Sequence, residues 1–346
     1  LALFTLPARA AACYRLANQA RKRAVAERPV FSQDIIAIIW DFDKTLTPRY
    51  MQQPLFDAFG VDGPSFWREV NALPAYYAKA GIRVNPETCY LGHLLAYVDR
   101  GRMKGLTNDK LRQLGALIKF YPGVPEIFAE LNAVLEQPQF KKWGLELEHY
   151  VVSTGLRAMI EGSAVAEYLQ GIWACDFIEQ PAPPRMPDGV PESGPISQIA
   201  STLDNTTKTR AIFEINKGVN KVDGISVNDY IAPEDRRVPI RNMIYIADGP
   251  SDVPSFSVIK KHEGMALAVY NPEEPRELKQ VDALRRNGRV DHISAADYRP
   301  ESATTQWLKL QVEEIAARIA ADKQRGLESR RGSSPTHLES DGNRKP

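Results

Sequence analysis

Ile35-Ile36-Ala37-Ile38-Ile39-Trp40-Asp41-Phe42-Asp43-Lys44-Thr45-Leu46-Thr47 is the stretch whose reading decides the fold. Six apolar residues run without a polar break and end on two acids. An unbroken run of that length suits a central strand of a parallel sheet, covered on both faces. The same pattern returns at residues 149–153, where Tyr150-Val151-Val152 leads into Ser153-Thr154-Gly155. It returns again at 242–248, where Met243-Ile244-Tyr245-Ile246-Ala247 leads into Asp248-Gly249. Shorter candidates lie at 172–178 and 265–270, and helical patterns at 124–136, 156–169 and 208–215. Strands alternating with helices predict a doubly wound α/β fold with a parallel sheet.

Working outward, about a hundred residues separate the first two strands, far more than a strand-helix-strand crossover needs. That stretch is rich in helix formers and aromatics, among them Phe56, Phe66, Trp67 and Tyr90. Residues 47–119 therefore read as a helical insertion, and Tyr121-Pro122-Gly123-Val124 as the return to the core. The expected core is 34–46 with 120–300. Residues 181–195, crowded with Pro and Gly, read as an exposed loop. Leu308, Val312, Ile315 and Ile319 recur at helical spacing and predict a helix within 301–321. The polar residues 322–346 read as a disordered tail.

Residues 1–33 read as a basic helical extension. Arg9, Arg15, Arg21, Lys22, Arg23 and Arg28 face one acid, Glu27. A surface helix ahead of the domain is the plain reading, and an Arg-rich organelle transit segment is the other. With no apolar run long enough to cross a bilayer, a cytoplasmic setting is expected. In the whole chain of 346 residues, 44 Lys and Arg nearly cancel 43 Asp and Glu. Such balance gives no global field for nucleic acid. Cys13, Cys89 and Cys175 share no metal-ligand spacing, so they read as reduced, buried thiols, and zinc is not expected. Nothing in the sequence reports oligomeric state.

The chemistry sits where the strands end. Asp41 and Asp43, two apart on extended chain, point the same way at the carboxyl edge of the sheet, where open α/β sheets bind ligands. Paired carboxylates can divide two tasks, one attacking phosphorus and the other moving the leaving-group proton. Ser153, with Thr154 and Gly155, could cradle phosphate oxygens, and Ser-Thr-Gly before a helix is also an ordinary cap. Lys208 falls in the first turn of a predicted helix, the end where a cation is disfavoured unless an anion lies nearby. Arg210 and Lys217 are the fallback cations. In Asp248-Gly249-Pro250-Ser251-Asp252, Gly249 is expected to allow a tight turn that brings Asp248 and Asp252 to the rim holding Asp41 and Asp43. Four carboxylates in one cleft repel, by roughly 4 kcal/mol per pair at ~4 Å and an effective dielectric of about 20. A hard dication removes that cost, and an all-oxygen ligand set favours Mg2+ over zinc.

Asp-x-Asp-x-Thr, a Ser after a strand, a Lys at a helix start and Asp-x-x-x-Asp, in that order, resemble the four motifs of the haloacid dehalogenase-like (HAD) hydrolase superfamily. The resemblance spans roughly residues 35–270 and implies a Rossmannoid core. It implies Asp41 as nucleophile and Asp43 as general acid and base. Ser153 and Lys208 would bind phosphoryl oxygens. Magnesium would be held by Asp41, the backbone carbonyl of Asp43, and Asp248, with Asp252 as ligand or support. The insertion resembles the helical cap of the phosphoserine phosphatase-like branch. That branch carries a Glu soon after the first motif to read its substrate's amino group. Residues 47–53 contain none, which puts phosphoserine itself in question. Within the superfamily Asp43 favours phosphate monoesters over halides. The expectation is a magnesium-dependent phosphatase acting on a small phosphorylated metabolite. A phosphomutase or phosphotransferase, and a non-catalytic phosphate-binding scaffold, are the alternatives. Arg49, Arg68, Arg83 and His93 are insertion residues within reach of a substrate, each also readable as a surface group.

Overall fold

In the computed structural model, which describes residues 31–184, 189–190 and 192–330, the opening run forms β1 (Ile35–Trp40). Four helices follow before the chain returns: α1 (Gln53–Phe59), α2 (Gly63–Ala78), α3 (Cys89–Asp99) and α4 (Asn108–Gly115). Then come α5 (Glu126–Leu135), α6 (Pro138–Lys141), β2 (Glu146–Leu156), α7 (Arg157–Glu161), β3 (Leu169–Ile178) and β4 (Gln198–Ser201). The chain continues through α8 (Lys208–Lys217), β5 (Met243–Ala247), α9 (Val253–Lys261) and β6 (Met265–Tyr270). It closes with α10 (Pro275–Arg286), β7 (His292–Ala295) and α11 (Ala303–Arg330). The strands stand in the order β4-β3-β2-β1-β5-β6-β7. Every neighbouring pair is parallel except β3 with β4.

Strand β1 lies at the centre, and its alternation explains why the whole run is apolar. Ile36, Ile38 and Trp40 face a core shared with α5 and α11, whereas Ala37 and Ile39 face one shared with α8 and α9. A side chain buried on either face stabilises by about 1.5–3 kcal/mol, so a polar residue anywhere along β1 would be costly. This is the doubly wound α/β architecture that the sequence predicts.

Four expectations need correction. The tail expected from residue 322 begins later, because α11 runs on to Arg330. Anchors outside the helix hold this extension despite its low apolar content: Lys323 Nζ donates to Trp143 O at 2.8 Å and pairs with Asp34 at 2.7 Å. The helix expected over 156–169 shrinks to α7 and one 3-10 turn at Ala166–Tyr168. Strand β2 runs on instead, through a register shift, to pair Leu156 with Cys175. Strands β4 and β7, four residues each, were not expected. Of the thiols, Cys175 is buried but Cys89 only half so. Cys13, residues 1–30 of the basic extension and residues 331–346 lie outside the described residues. No described helix is long and apolar enough to cross a membrane.

Two features bring the insertion back to the site. Tyr121 N donates to Leu46 O at 2.9 Å, joining the segment leaving β1 to the one re-entering the core. Tyr298 then locks both, donating N to Pro122 O at 2.8 Å and its hydroxyl to Thr45 O at 2.7 Å. Gly123 makes this possible. Its φ is +85°, and a Cβ there would stand 2.1 Å from the Tyr298 carbonyl carbon.

Candidate active site

Asp41 follows β1 directly, its N–H donating to Ile246 O on β5 at 2.8 Å, so the ladder itself holds it at the strand edge. Its Oδ1 accepts from Lys208 Nζ at 2.8 Å and its Oδ2 from Thr45 Oγ1 at 3.2 Å. Lys208 is the first residue of α8 and is 1% exposed. The same ammonium donates to Asp252 Oδ1, also at 2.8 Å. A cation at a helix start is thus explained by the two anions it reaches. Arg210 pairs instead with Glu214 on its own helix at 2.7 Å, and Lys217 donates to the Val227 and Asp229 carbonyls at 2.7 Å. Neither reaches the acids.

Asp252 is fully buried. Its Oδ1 also accepts from the Tyr245 hydroxyl at 2.6 Å, and its Oδ2 from Ser251 Oγ at 2.7 Å. Asp41, Asp248 and Asp252 each offer one carboxylate oxygen, all within 4.8 Å of one another. Gly249 contributes differently from the expected tight turn. It is extended, with φ −178°, a conformation open to any residue. What a side chain would meet there is the Gln280 amide, 2.5 Å from its Cβ.

The electrostatics follow from burial. Desolvation pushes the Asp41 carboxyl up to about 6; Lys208 pulls it down while Asp252 adds to the rise. Asp43 goes further, to about 8, through burial first and the charge of Asp41 second. Burial, then Asp41 and Asp252, hold Asp248 well above the carboxylate range. Burial alone would lower the Lys208 ammonium, but Asp252 and Asp41 outweigh it and hold it well above its ordinary value. One ammonium cannot neutralise three converging carboxylates. The cluster therefore has room for a further cation, and its all-oxygen donors fit Mg2+.

The carboxylate of Asp43 lies outside that triad, although it faces the same cleft. Its Oδ1 accepts from Met51 N at 2.7 Å, tying it to the start of the insertion. Thr154 and Gly155 line the cleft too. Ser153 sits beneath them, 1% exposed, its Oγ accepting from Gly155 N at 3.0 Å. The next helix, α7, starts only at Arg157, since β2 continues to Leu156.

The cleft encloses about 430 Å³ between the sheet edge and the inserted helices. A wider groove of about 980 Å³ shares Lys44, Tyr50 and Gln280 with it but holds none of the clustered acids. Arg49, Arg68, Arg83 and His93 do not line the cleft. His93 pairs with Glu69 at 2.7 Å, and Arg68 donates to Ser65 Oγ at 2.6 Å. The insertion instead presents Gln52, Trp67, Asn71, Glu87 and Tyr90. Sequence reasoning placed Trp67 and Tyr90 only among the insertion's aromatics, and missed Gln52, Asn71, Glu87, Tyr245 and Asn205. Only Tyr245 carried a signal, as a hydroxyl inside an otherwise aliphatic strand.

No protein-family model matches the chain. Among solved structures it is similar to a HAD-family hydrolase of Salmonella enterica serovar Typhi, at 14% identity and a TM-score of 0.44, covering 80% of this chain and 74% of that one. It is also similar to a phospho-aspartyl intermediate analogue of phosphoserine phosphatase, at 18% identity and a TM-score of 0.40, covering 75% and 92%. A probable phosphoserine phosphatase of Vibrio cholerae gives 13% identity and a TM-score of 0.45, covering 84% and 69%. An uncharacterized protein of Borreliella burgdorferi is 36% identical over 283 residues, 80% of this chain and 96% of that protein. On that identity and coverage, the chain belongs to one family with the Borreliella burgdorferi protein.

Proposed function

We propose that the protein is a HAD-like phosphatase that hydrolyses a small organic phosphate monoester through a phosphorylated Asp41. One observation carries this reading. Lys208 Nζ stands 2.8 Å from both Asp41 Oδ1 and Asp252 Oδ1, so three distant stretches of chain converge on one point. A buried ion triad is a poor way to gain stability, since apolar replacements usually do as well. Its retention at the carboxyl edge of the sheet supports a chemical role.

In the first half-reaction an Asp41 oxygen attacks phosphorus. The bond from phosphorus to the ester oxygen breaks, and Asp43 gives its proton to the departing alkoxide. Burial suits Asp43 to this task, because desolvation and then the charge of Asp41 favour its protonated form. In the second half, Asp43 takes a proton from water as the water oxygen attacks phosphorus. The bond from phosphorus to Asp41 breaks, releasing inorganic phosphate and restoring both carboxyls. Lys208 offsets charge on the transferring group's oxygens, and the Thr154–Gly155 segment bounds them. Asp41, Asp248 and Asp252 would hold Mg2+, which, when bound, offsets phosphoryl charge that one lysine cannot. The partner would be a small phosphorylated metabolite and the setting cytoplasmic.

The test is release of p-nitrophenol from p-nitrophenyl phosphate, with and without Mg2+. Wild type should show magnesium-stimulated turnover and Asp41→Asn none above background. Asp43→Asn should slow steady-state release by about 10²–10⁴-fold through the water step, where Asp43 is the base, since p-nitrophenolate leaves without a proton. Equal rates in wild type and Asp41→Asn would end the proposal.

A further inference from the structure

Gln52 lines the cleft, is 2% exposed, and leaves its Oε1 without a partner. A buried amide oxygen left unsatisfied costs about 1–3 kcal/mol, so a group in this state is one that a bound molecule would satisfy. Rotation about the last side-chain bond exchanges its oxygen and nitrogen, so the same residue can accept from a ligand or donate to it. Asn71, Asn205 and Gln280 bring three more neutral amides to the wall, and Trp67 and Tyr90 bring ring faces.

Away from the acidic centre, the wall's two charged residues are already engaged by the protein. Lys44 pairs with Glu277 at 3.3 Å. Both Glu87 oxygens accept from Asn205, one from its N–H at 2.8 Å and the other from its Nδ2. A leaving group that carries only hydroxyls can be bound by the amides of the wall without drawing on either of these charges. Hydroxyls both donate and accept, as the amides do, and the C–H faces of a sugar or polyol suit aromatic rings.

Building on the phosphatase reading, we infer that the substrate is the phosphate monoester of a neutral polyhydroxylated alcohol, a sugar or sugar alcohol, with Gln52 reading one of its hydroxyls. The cleft volume of about 430 Å³ falls in the range of sites that enclose small molecules.

Turnover by the full chain with Mg2+ tests this across glucose 6-phosphate, ribitol 5-phosphate and glycerol 3-phosphate, against phosphoserine and phosphoethanolamine. p-Nitrophenyl phosphate is the common reference. The best hydroxylated ester should exceed both amine-bearing esters in kcat/KM by about tenfold or more, as a site built to bond hydroxyls discriminates strongly. Gln52→Ala should lower the ratio of sugar-phosphate to p-nitrophenyl phosphate turnover by about tenfold, and Gln52→Glu should raise the relative rate on phosphoethanolamine. Preference for either amine, or an unchanged ratio in Gln52→Ala, overturns the inference. The wild-type panel decides the matter even where a variant fails to fold. Turnover of the reference ester with no preference in the panel sinks the inference and leaves the phosphatase reading standing; no turnover of any ester sinks both.

Discussion

Replacing Lys208 with Met removes one charge and keeps an unbranched apolar stem in the same space. The lysine side chain is 2% exposed and bridges Asp41 and Asp252 at 2.8 Å each. Without it, the two acids face each other and Asp248 with oxygens within 4.8 Å and no cation between them. Full ionisation of a pair about 5 Å apart would cost roughly 3 kcal/mol at an effective dielectric of about 20, so the acids take up protons instead. Breaking a buried pair by deleting one partner costs about 3–5 kcal/mol in measured cases. Urea unfolding in EDTA, followed by tryptophan fluorescence, should therefore show Lys208→Met less stable by about 3–5 kcal/mol, with an unchanged slope. Magnesium supplies what the lysine no longer does. It should stabilise the variant by more than it stabilises wild type at equal concentration, since an ion that binds only the folded state shifts unfolding by mass action. Hydrolysis of p-nitrophenyl phosphate should stay impaired even with stability restored, because the phosphoryl oxygens lose their ammonium. A variant within about 1 kcal/mol of wild type in EDTA would refute the convergence of these side chains.

Two further substitutions probe the frame that carries the site. His149 is buried, accepts from Trp40 Nε1 at 3.3 Å through Nδ1, and is held by burial at about 3 against an ordinary 6.5. Its folded value is depressed, so the unfolded chain takes up the proton first, and stability falls with pH from about 6.5 toward 3. The loss reaches roughly 2 kcal/mol at pH 5. His149→Asn keeps an acceptor for Trp40 without the titration, so urea unfolding at pH 7 and pH 5 should differ less than in wild type. Equal pH losses in the two proteins would contradict this. Gly123→Ala forces a side chain into positive φ and against the Tyr298 backbone. It should cost about 2–4 kcal/mol in thermal or urea unfolding and slow p-nitrophenyl phosphate turnover through the Tyr298–Thr45 link. A fully stable Gly123→Ala would show that the return segment is not packed as described.

Much of the sheet was legible because β1 and β5 are buried on both faces and spell unbroken apolar runs, and β2 does so over Tyr150-Val151-Val152. The acids after them were legible for a related reason, since a carboxylate directly behind such a run has few structural uses. Strands β4 and β7 left no such trace. Each has only four residues, and β4 is exposed throughout at the edge of the sheet, so no burial shapes its composition. The reach of β2 past Ser153 was hidden as well, because Thr154-Gly155 reads as a helix entry until β3 is known to pair beside it. Lys208 stood out only as a cation at the wrong end of a helix. Its partners lie 167 and 44 residues away, and no local pattern encodes separations of that kind.

The cleft wall shows the same limit more sharply, and shows what the insertion does. Asn85 Nδ2 donates to Asp204 Oδ2 at 3.1 Å, Asn205 N donates to Glu87 at 2.8 Å, and the Tyr90 hydroxyl donates to Thr154 O at 2.7 Å. One short segment ahead of and within α3 is thereby fastened to two parts of the core: the loop that leads into Lys208 and the end of β2 that carries Ser153 and Thr154. Each bond is modest alone, on the order of 1 kcal/mol. Together they make the placement of Glu87 and Tyr90, and of Trp67 against the Tyr90 ring, depend on the same segments that place the Lys208 ammonium and the Thr154 backbone. A group bound by the inserted helices would in this way be registered against Asp41. Sequence patterns report which residues are buried in regular elements, whereas this registration depends on single polar bonds between irregular loops. The acids around Asp41 were readable for that reason, and the wall of the cleft was not.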